Sequence, residues 1–280
     1  MDSFATPSSA GPLDEAAAQA LAVTDVTVDG YAQPLTLRLY RPRAKNALPV
    51  LLYFHGGGFV RGSLADADGA ARFLAAQVPA WVVSVGYSLA PQFPFPAAPE
   101  DAYRAARWAC ANARAAGADA RRLGAAGHDA GGQLANSLAF MVRDRGDMRI
   151  VAQALVGPML DPSLTRVGDA EHLDSDITAQ QCAACYRAYL PQAVQRMHPY
   201  AAPLEVSRLA GLPATLIVTA QKDVLHVEAE KYASQLIGAG VPTQVVRFPG
   251  VSHAALADDT HALQEAVRFF QCRFAACGAR

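Results

Sequence analysis

Long apolar runs are missing from this chain. No stretch of its 280 residues approaches the roughly 18 consecutive apolar residues of a membrane span. Met1–Pro7 shows no basic start followed by an apolar core, so a secretory leader is not expected there. Cysteine is scarce and odd in number, at five, which argues against a disulfide framework and for reduced thiols in a cytoplasmic protein. Cys182 and Cys185 have redox-motif spacing but no thioredoxin-like context and no matched ligands nearby, so they read as packing residues. Lysine occurs only at 45, 222 and 231, and the net charge is -1. Neither a nucleic acid nor an anionic membrane is expected as a partner. No dinucleotide fingerprint and no metal constellation stands out, so no cofactor is implied and the expected partner is a small-molecule substrate.

What is present is apolar: 52% of the residues are hydrophobic, enough for a large core. Leu35–Tyr40 alternates apolar and polar residues, as a half-exposed strand near a sheet edge does. Val50–Phe54, Trp81–Val85, Val151–Val156 and Thr215–Thr219 are nearly continuous apolar runs, which suits strands covered on both faces. Arg122–Ala126 and Val245–Phe248 are shorter candidates. Between them lie helical stripes: Ala102, Ala105, Ala106 and Ala109; Leu134, Leu138 and Met141; Ala229, Tyr232, Ala233 and Leu236; and Leu263 through Phe274. Strands alternating with helices predict a single α/β domain over 1–280, with a mostly parallel sheet and helices on both faces. Residues 1–25, which are Ala-rich, and 161–205, with a helix around Gln180–Leu190, break the alternation and are expected to form a small helical cap. The last strand offers an edge for a homodimer.

The chemistry-bearing motifs sit at strand ends. Gly127-His128-Asp129-Ala130-Gly131-Gly132 follows a strand and opens a helix, which is the layout of a nucleophile elbow, G-x-S-x-G. The residue lifted by such a turn is here Asp129, not serine. His55-Gly56-Gly57-Gly58-Phe59 follows Val50–Phe54, and its consecutive glycines let backbone N–H groups approach a ligand closely. Asp223-Val224-Leu225 and Gly250-Val251-Ser252-His253 follow the two last strands. Asp223 also suits a helix N-cap. His55 reads as a buttress of the glycine loop and His128 as packing beneath the elbow. Tyr87 and the prolines after it read as turn-shaping residues.

Together these segments resemble the hormone-sensitive-lipase-like family of α/β-hydrolases, its bacterial carboxylesterase branch, from about Val26 to the C-terminus. The stretch Gly86–Asp101 resembles that family's D-Y-R-L-A-P-E-x-x-F-P-A-A segment, departing from it at Gly86, Ser88 and Gln92. The resemblance implies an α/β-hydrolase fold, Asp223 as the acid, His253 as the base, and the N–H groups of Gly57, Gly58 and Ala130 as an oxyanion hole.

Asp129 divides the chemical expectations. A carboxylate needs no activation, but attack on an ester gives an anhydride that collapses back. Toward an sp³ carbon of an epoxide or halide it can form an alkyl-enzyme ester, which water activated by His253 would hydrolyse. The string G-H-D-A-G-G resembles the elbow of epoxide hydrolases and dehalogenases, and epoxide opening would need proton donors, for which Tyr186, Tyr189 and Tyr200 are the cap candidates. The alternatives are a carboxylesterase scaffold whose serine is replaced, leaving it weak, inactive or ligand-binding, and an Asp129/His253 general-base lyase.

Overall fold

The computed structural model describes residues 21–278. Eight strands form one sheet: β1 (Ala22–Asp29), β2 (Pro34–Arg41), β3 (Leu48–Phe54), β4 (Trp81–Gly86), β5 (Ala118–His128), β6 (Ile150–Val156), β7 (Ala214–Lys222) and β8 (Thr243–Ser252). Their order is β1-β2-β4-β3-β5-β6-β7-β8. Only β1 with β2 and β2 with β4 pair antiparallel; the rest pair parallel.

Every residue of β3 is buried because both of its faces are covered. Val50, Leu52 and Phe54 point toward α2 (Ala97–Asn112), α3 (Ala130–Arg145) and α6 (His226–Gly238). Leu51 and Tyr53 point toward α1 (Asp68–Gln77) and α7 (Thr260–Gly278). The period-2 alternation of a strand thus divides one apolar run between two helical layers.

The cap lies between β6 and β7 and contains α4 (Ala170–Leu173) and α5 (Ala179–Tyr189). Thr178 starts α5 with a capping box: its Oγ1 accepts the N–H of Gln181, whose Oε1 accepts the N–H of Thr178. Arg166 stitches the two ends of the insert together, reaching Asp161 at 3.0 Å and Glu205 at 2.6 Å. The buried Glu228 carboxyl group accepts the N–H of Leu160 at 2.6 Å and of Asp161 at 3.3 Å.

One expectation is corrected here. Residues 22–25 belong to β1, not to a helical cap, and run antiparallel to Arg41–Arg38. The reason is local: Val23 packs on one face of the sheet and Val26 and Val28 on the other, while Thr24, Thr27 and Asp29 face solvent, a β-branched pattern that the Ala-rich stretch before it obscures. The remainder of the N-terminal cap expectation, residues 1–20, lies outside the described residues. Helix α1 and the full length of β8 are further elements that periodicity alone did not single out.

Candidate active site

Asp129 stands at the turn from β5 into α3 with φ 56° and ψ −121°, a conformation side chains rarely adopt. The sequence permits this turn because of the glycines around it. A Cβ on Gly127 would meet the backbone of Gly131 at 2.3 Å, and one on Gly131 would meet the carbonyl oxygen of Phe54 at 2.1 Å. The strained turn is pinned by the Asp129 N–H, which donates to Val156 at 2.9 Å.

The glycine loop after β3 comes to the same point. Gly57 and Gly58 both have positive φ, 119° and 61°. Their N–H groups converge on one atom: Oδ2 of Asp129 accepts from Gly57 at 2.8 Å and from Gly58 at 2.7 Å. Ala130, the third expected donor, opens α3 and makes no hydrogen bond to this carboxylate. The loop is held from behind by Tyr87, whose hydroxyl donates to the carbonyl of His55 at 2.9 Å and whose ring stacks on the His55 imidazole at 4.1 Å.

His253 completes the cluster. Its Nδ1 donates to Oδ2 of Asp223 at 2.8 Å, and its Nε2 lies 3.6 Å from Oδ1 of Asp129, an ion-pair distance longer than a hydrogen bond. Asp223 also serves the helix that follows, its Oδ1 accepting the N–H of Leu225 at 2.8 Å. The N-cap of α6 is Leu225, without a side-chain cap, so the helix-cap reading of Asp223 is corrected to a turn ahead of the helix. Burial alone would lower the His253 imidazole, but the carboxylates on either side of it push it up to about 10. Burial alone would raise Asp129, but His253 and the loop N–H groups hold it well below the usual carboxylate range. At neutral pH the pair is a carboxylate against an imidazolium. His128 lies beside them, 4.8 Å from the His253 ring and donating to the His253 carbonyl at 3.0 Å. Burial and the neighbouring imidazolium lower it to about 4, so it is neutral.

Above this cluster opens a cavity of about 740 Å³. Helix α5 presents Cys182, Cys185 and Ala188 to it. Cys185 sits directly over the glycine loop, where a Cβ on Gly58 would come within 2.5 Å of its Sγ. The cap tyrosines take other positions. Tyr189 stacks on Phe59 at 3.9 Å, and Tyr186 tilts against the same ring at 6.1 Å. Neither lines the cavity, and both hydroxyls are buried without a partner. Tyr200 turns its hydroxyl to Asp144 at 3.2 Å. The three expected proton donors are thus not brought to Asp129. In α5 the tyrosines use the helix face that anchors the cap, and the cysteines use the face over the cavity.

Residues 51–257 match the family described as alpha/beta hydrolase fold. The chain belongs to that family. It is 40% identical over 232 residues to Esterase LipI of Mycobacterium tuberculosis, covering 80% of this chain and 72% of the relative. It is 37% identical over 236 residues to an ethyl acetate hydrolase of Pseudomonas putida, covering 81% and 72%. Among solved structures, a hyperthermophilic esterase from the archaeon Pyrobaculum calidifontis superposes with a TM-score of 0.82 at 37% identity, over 92% of this chain and 84% of that one. Among the described residues of this α/β-hydrolase, no helix is long and apolar enough to cross a membrane, and no group of three or more His, Cys, Asp or Glu is arranged to hold a metal ion.

Proposed function

We propose that this α/β-hydrolase is a carboxylesterase scaffold that binds small carboxylic esters and hydrolyses them weakly, because Asp129 occupies the place where acyl transfer needs a serine. The observation that carries this reading is Oδ2 of Asp129 seated on the N–H groups of Gly57 and Gly58. Those donors are the groups that would stabilise the oxyanion of an ester undergoing attack. With a carboxylate on them, an incoming carbonyl oxygen must displace a resident anion. His253, clasped between Asp129 and Asp223 as an imidazolium, has no free position to take a proton. In the serine counterpart, His253 would remove the hydroxyl proton, Asp223 would orient the ring, and the two glycine N–H groups would hold the oxyanion.

The esterase relatives support the ester class, and the carboxylate seated on the Gly57 and Gly58 N–H groups supports weak turnover. The test is Asp129→Ser assayed on short-chain p-nitrophenyl esters. A gain of about 100-fold or more over the wild type is expected, the scale on which a completed hole and nucleophile act. A folded variant with no gain would refute the reading.

One observation favours a second reading. Oδ1 of Asp129 makes no hydrogen bond, while Oδ2 takes two; Oδ1 lies 3.6 Å from Nε2 of His253, and Asp129 lines the cavity. That arrangement suits attack on an sp³ carbon. An adduct on Asp129 in a His253→Ala variant treated with epoxides or haloalkanes would establish it.

A further inference from the structure

The chemistry above leaves one stretch of the cavity wall unused. It is built from Ala67 and Ala70 at α1, Ala257 in the turn after His253, and Tyr53 of β3. Tyr53 is the only tyrosine among the residues lining the cavity, and it is 4% exposed. Its hydroxyl makes no hydrogen bond among the described residues. Three other core tyrosines have acceptors within the protein: Tyr40 donates to Asp68, Tyr87 to the His55 carbonyl, and Tyr232 to Asn136. A hydroxyl sealed in the core without an acceptor costs about 1–3 kcal/mol; that of Tyr53, unlike those of Tyr186 and Tyr189, is not sealed but opens on the cavity. Ala67, Ala70 and Ala257 offer it only methyl groups, and neither Asp66 nor Asp258 accepts a hydrogen bond from it, so whatever satisfies its O–H comes from the cavity. The alanines also remove bulk there, leaving room for a chain to reach it.

The charge around this wall narrows what fits. Asp66 lines the same cavity, and Asp258 is close enough for its charge, together with burial, to push the Tyr53 phenol up. The phenol is a donor at any ordinary pH, and two carboxylates disfavour an anion next to it. A purely alkyl group would displace water and leave the donor unpaired.

We infer that Tyr53, with Ala67, Ala70 and Ala257, forms a subsite for the far end of one ester arm, selective for an arm tipped with a neutral hydrogen-bond-accepting oxygen such as an ether or ketone. The inference rests on the ester reading above for what the rest of the ligand is. It assigns Tyr53 to specificity, and it separates a polar-tipped end of the cavity from the thiol-and-alkyl end under α5.

The experiment uses two pairs of esters equal in length: ethyl 4-methoxybutanoate against ethyl hexanoate for the acyl arm, and 3-methoxypropyl acetate against pentyl acetate for the alcohol arm. Dissociation constants are measured by ligand-observed NMR titration on the wild type and on Tyr53→Phe. In one pair the wild type is expected to bind the ether about 2- to 10-fold more tightly, the fold-change of one net hydrogen bond. In Tyr53→Phe that ratio falls to about one or below, while alkyl binding is kept. The variant's Tm should not fall, because the hydroxyl has no protein partner to lose. No ether preference in either pair, a preference that survives Tyr53→Phe, tighter binding of a carboxylate-tipped analogue, or a clear drop in Tm would each overturn the inference. The two readings fail separately. Ester hydrolysis by Asp129→Ser without ether preference removes the subsite alone. A Tyr53-dependent preference without hydrolysis by Asp129→Ser removes the ester reading alone.

Discussion

Oδ2 of Asp129 lies 2.7 Å from the backbone nitrogen of Gly58, across 71 residues of sequence. A side chain of the elbow thus occupies the anion cradle that the glycine loop builds. Catalysis requires interactions that strengthen in the transition state. Here the strongest dipoles of the site are already engaged in the ground state, with an imidazolium completing the clasp. The consequences of this arrangement are measurable.

The titration of His253 is the first. Asp129 and Asp223 overcome burial to push it up to about 10. Asp129→Ser removes one carboxylate, so His253 should titrate lower in the variant, and imidazole ¹⁵N shifts report this directly. The stability consequence has a definite sign. A base whose folded pKa is raised contributes stability that is fully present below its ordinary value of 6.5 and lost as pH rises through about 10. Between pH 8 and 10.5 the wild type should therefore lose more Tm than Asp129→Ser. Titration of His253 near its ordinary value in both proteins would contradict the geometry.

Gly58→Ala probes the cradle itself. The position has φ 61°, and the new Cβ would meet Cys185 Sγ at 2.5 Å. The backbone strain alone is worth roughly 1–3 kcal/mol. The variant should lose at least that much in urea unfolding, and combining it with Asp129→Ser should abolish the gained esterase activity. Adding Cys185→Ala should recover the clash portion of the stability but not the backbone portion.

Glu228 tests the cap hinge. Burial raises its carboxyl well above the ordinary 4.5, and its Oε1 serves the Leu160 and Asp161 N–H groups. Glu228→Ala leaves those buried donors unpaired and should cost about 1–3 kcal/mol. Glu228→Gln keeps the acceptor and removes the ionisable group. An acid whose folded pKa is raised loses stability as pH climbs above its unfolded value, so Glu228→Gln should gain on the wild type progressively above about pH 4.5. Parallel stability-versus-pH curves for the two proteins would show that the carboxyl is not held neutral.

Much of the fold was legible because its signals are local. The all-buried run of β3 and the stripe of α7 each follow from side-chain period and burial, and the glycines at 57, 58, 127 and 131 mark places where no Cβ fits. The motifs likewise put Asp129, Asp223 and His253 at strand ends, where a parallel sheet gathers them. What stayed hidden depends on orientation across long separations. No periodicity says that Tyr186 and Tyr189 pack on Phe59 while Cys185 faces the cavity, since both sets lie on one short helix. Tyr53 reads as an ordinary core residue in an apolar strand, and only the cavity beside it reveals a donor without an acceptor. That the elbow carboxylate would turn into the glycine loop is a matter of a few ångströms, decided by packing and not by spacing.

The most direct measurement is intact-protein mass spectrometry of the wild type and Asp129→Ser, treated side by side with a fluorophosphonate ester. Such a reagent phosphonylates a nucleophile that His253 activates and the glycine loop supports. Stoichiometric labelling of Asp129→Ser at residue 129, with the wild type unlabelled, is the predicted result. A labelled wild type, or a folded Asp129→Ser that takes no label, would contradict the view that the Asp129 carboxylate is what keeps this site from acting as an esterase.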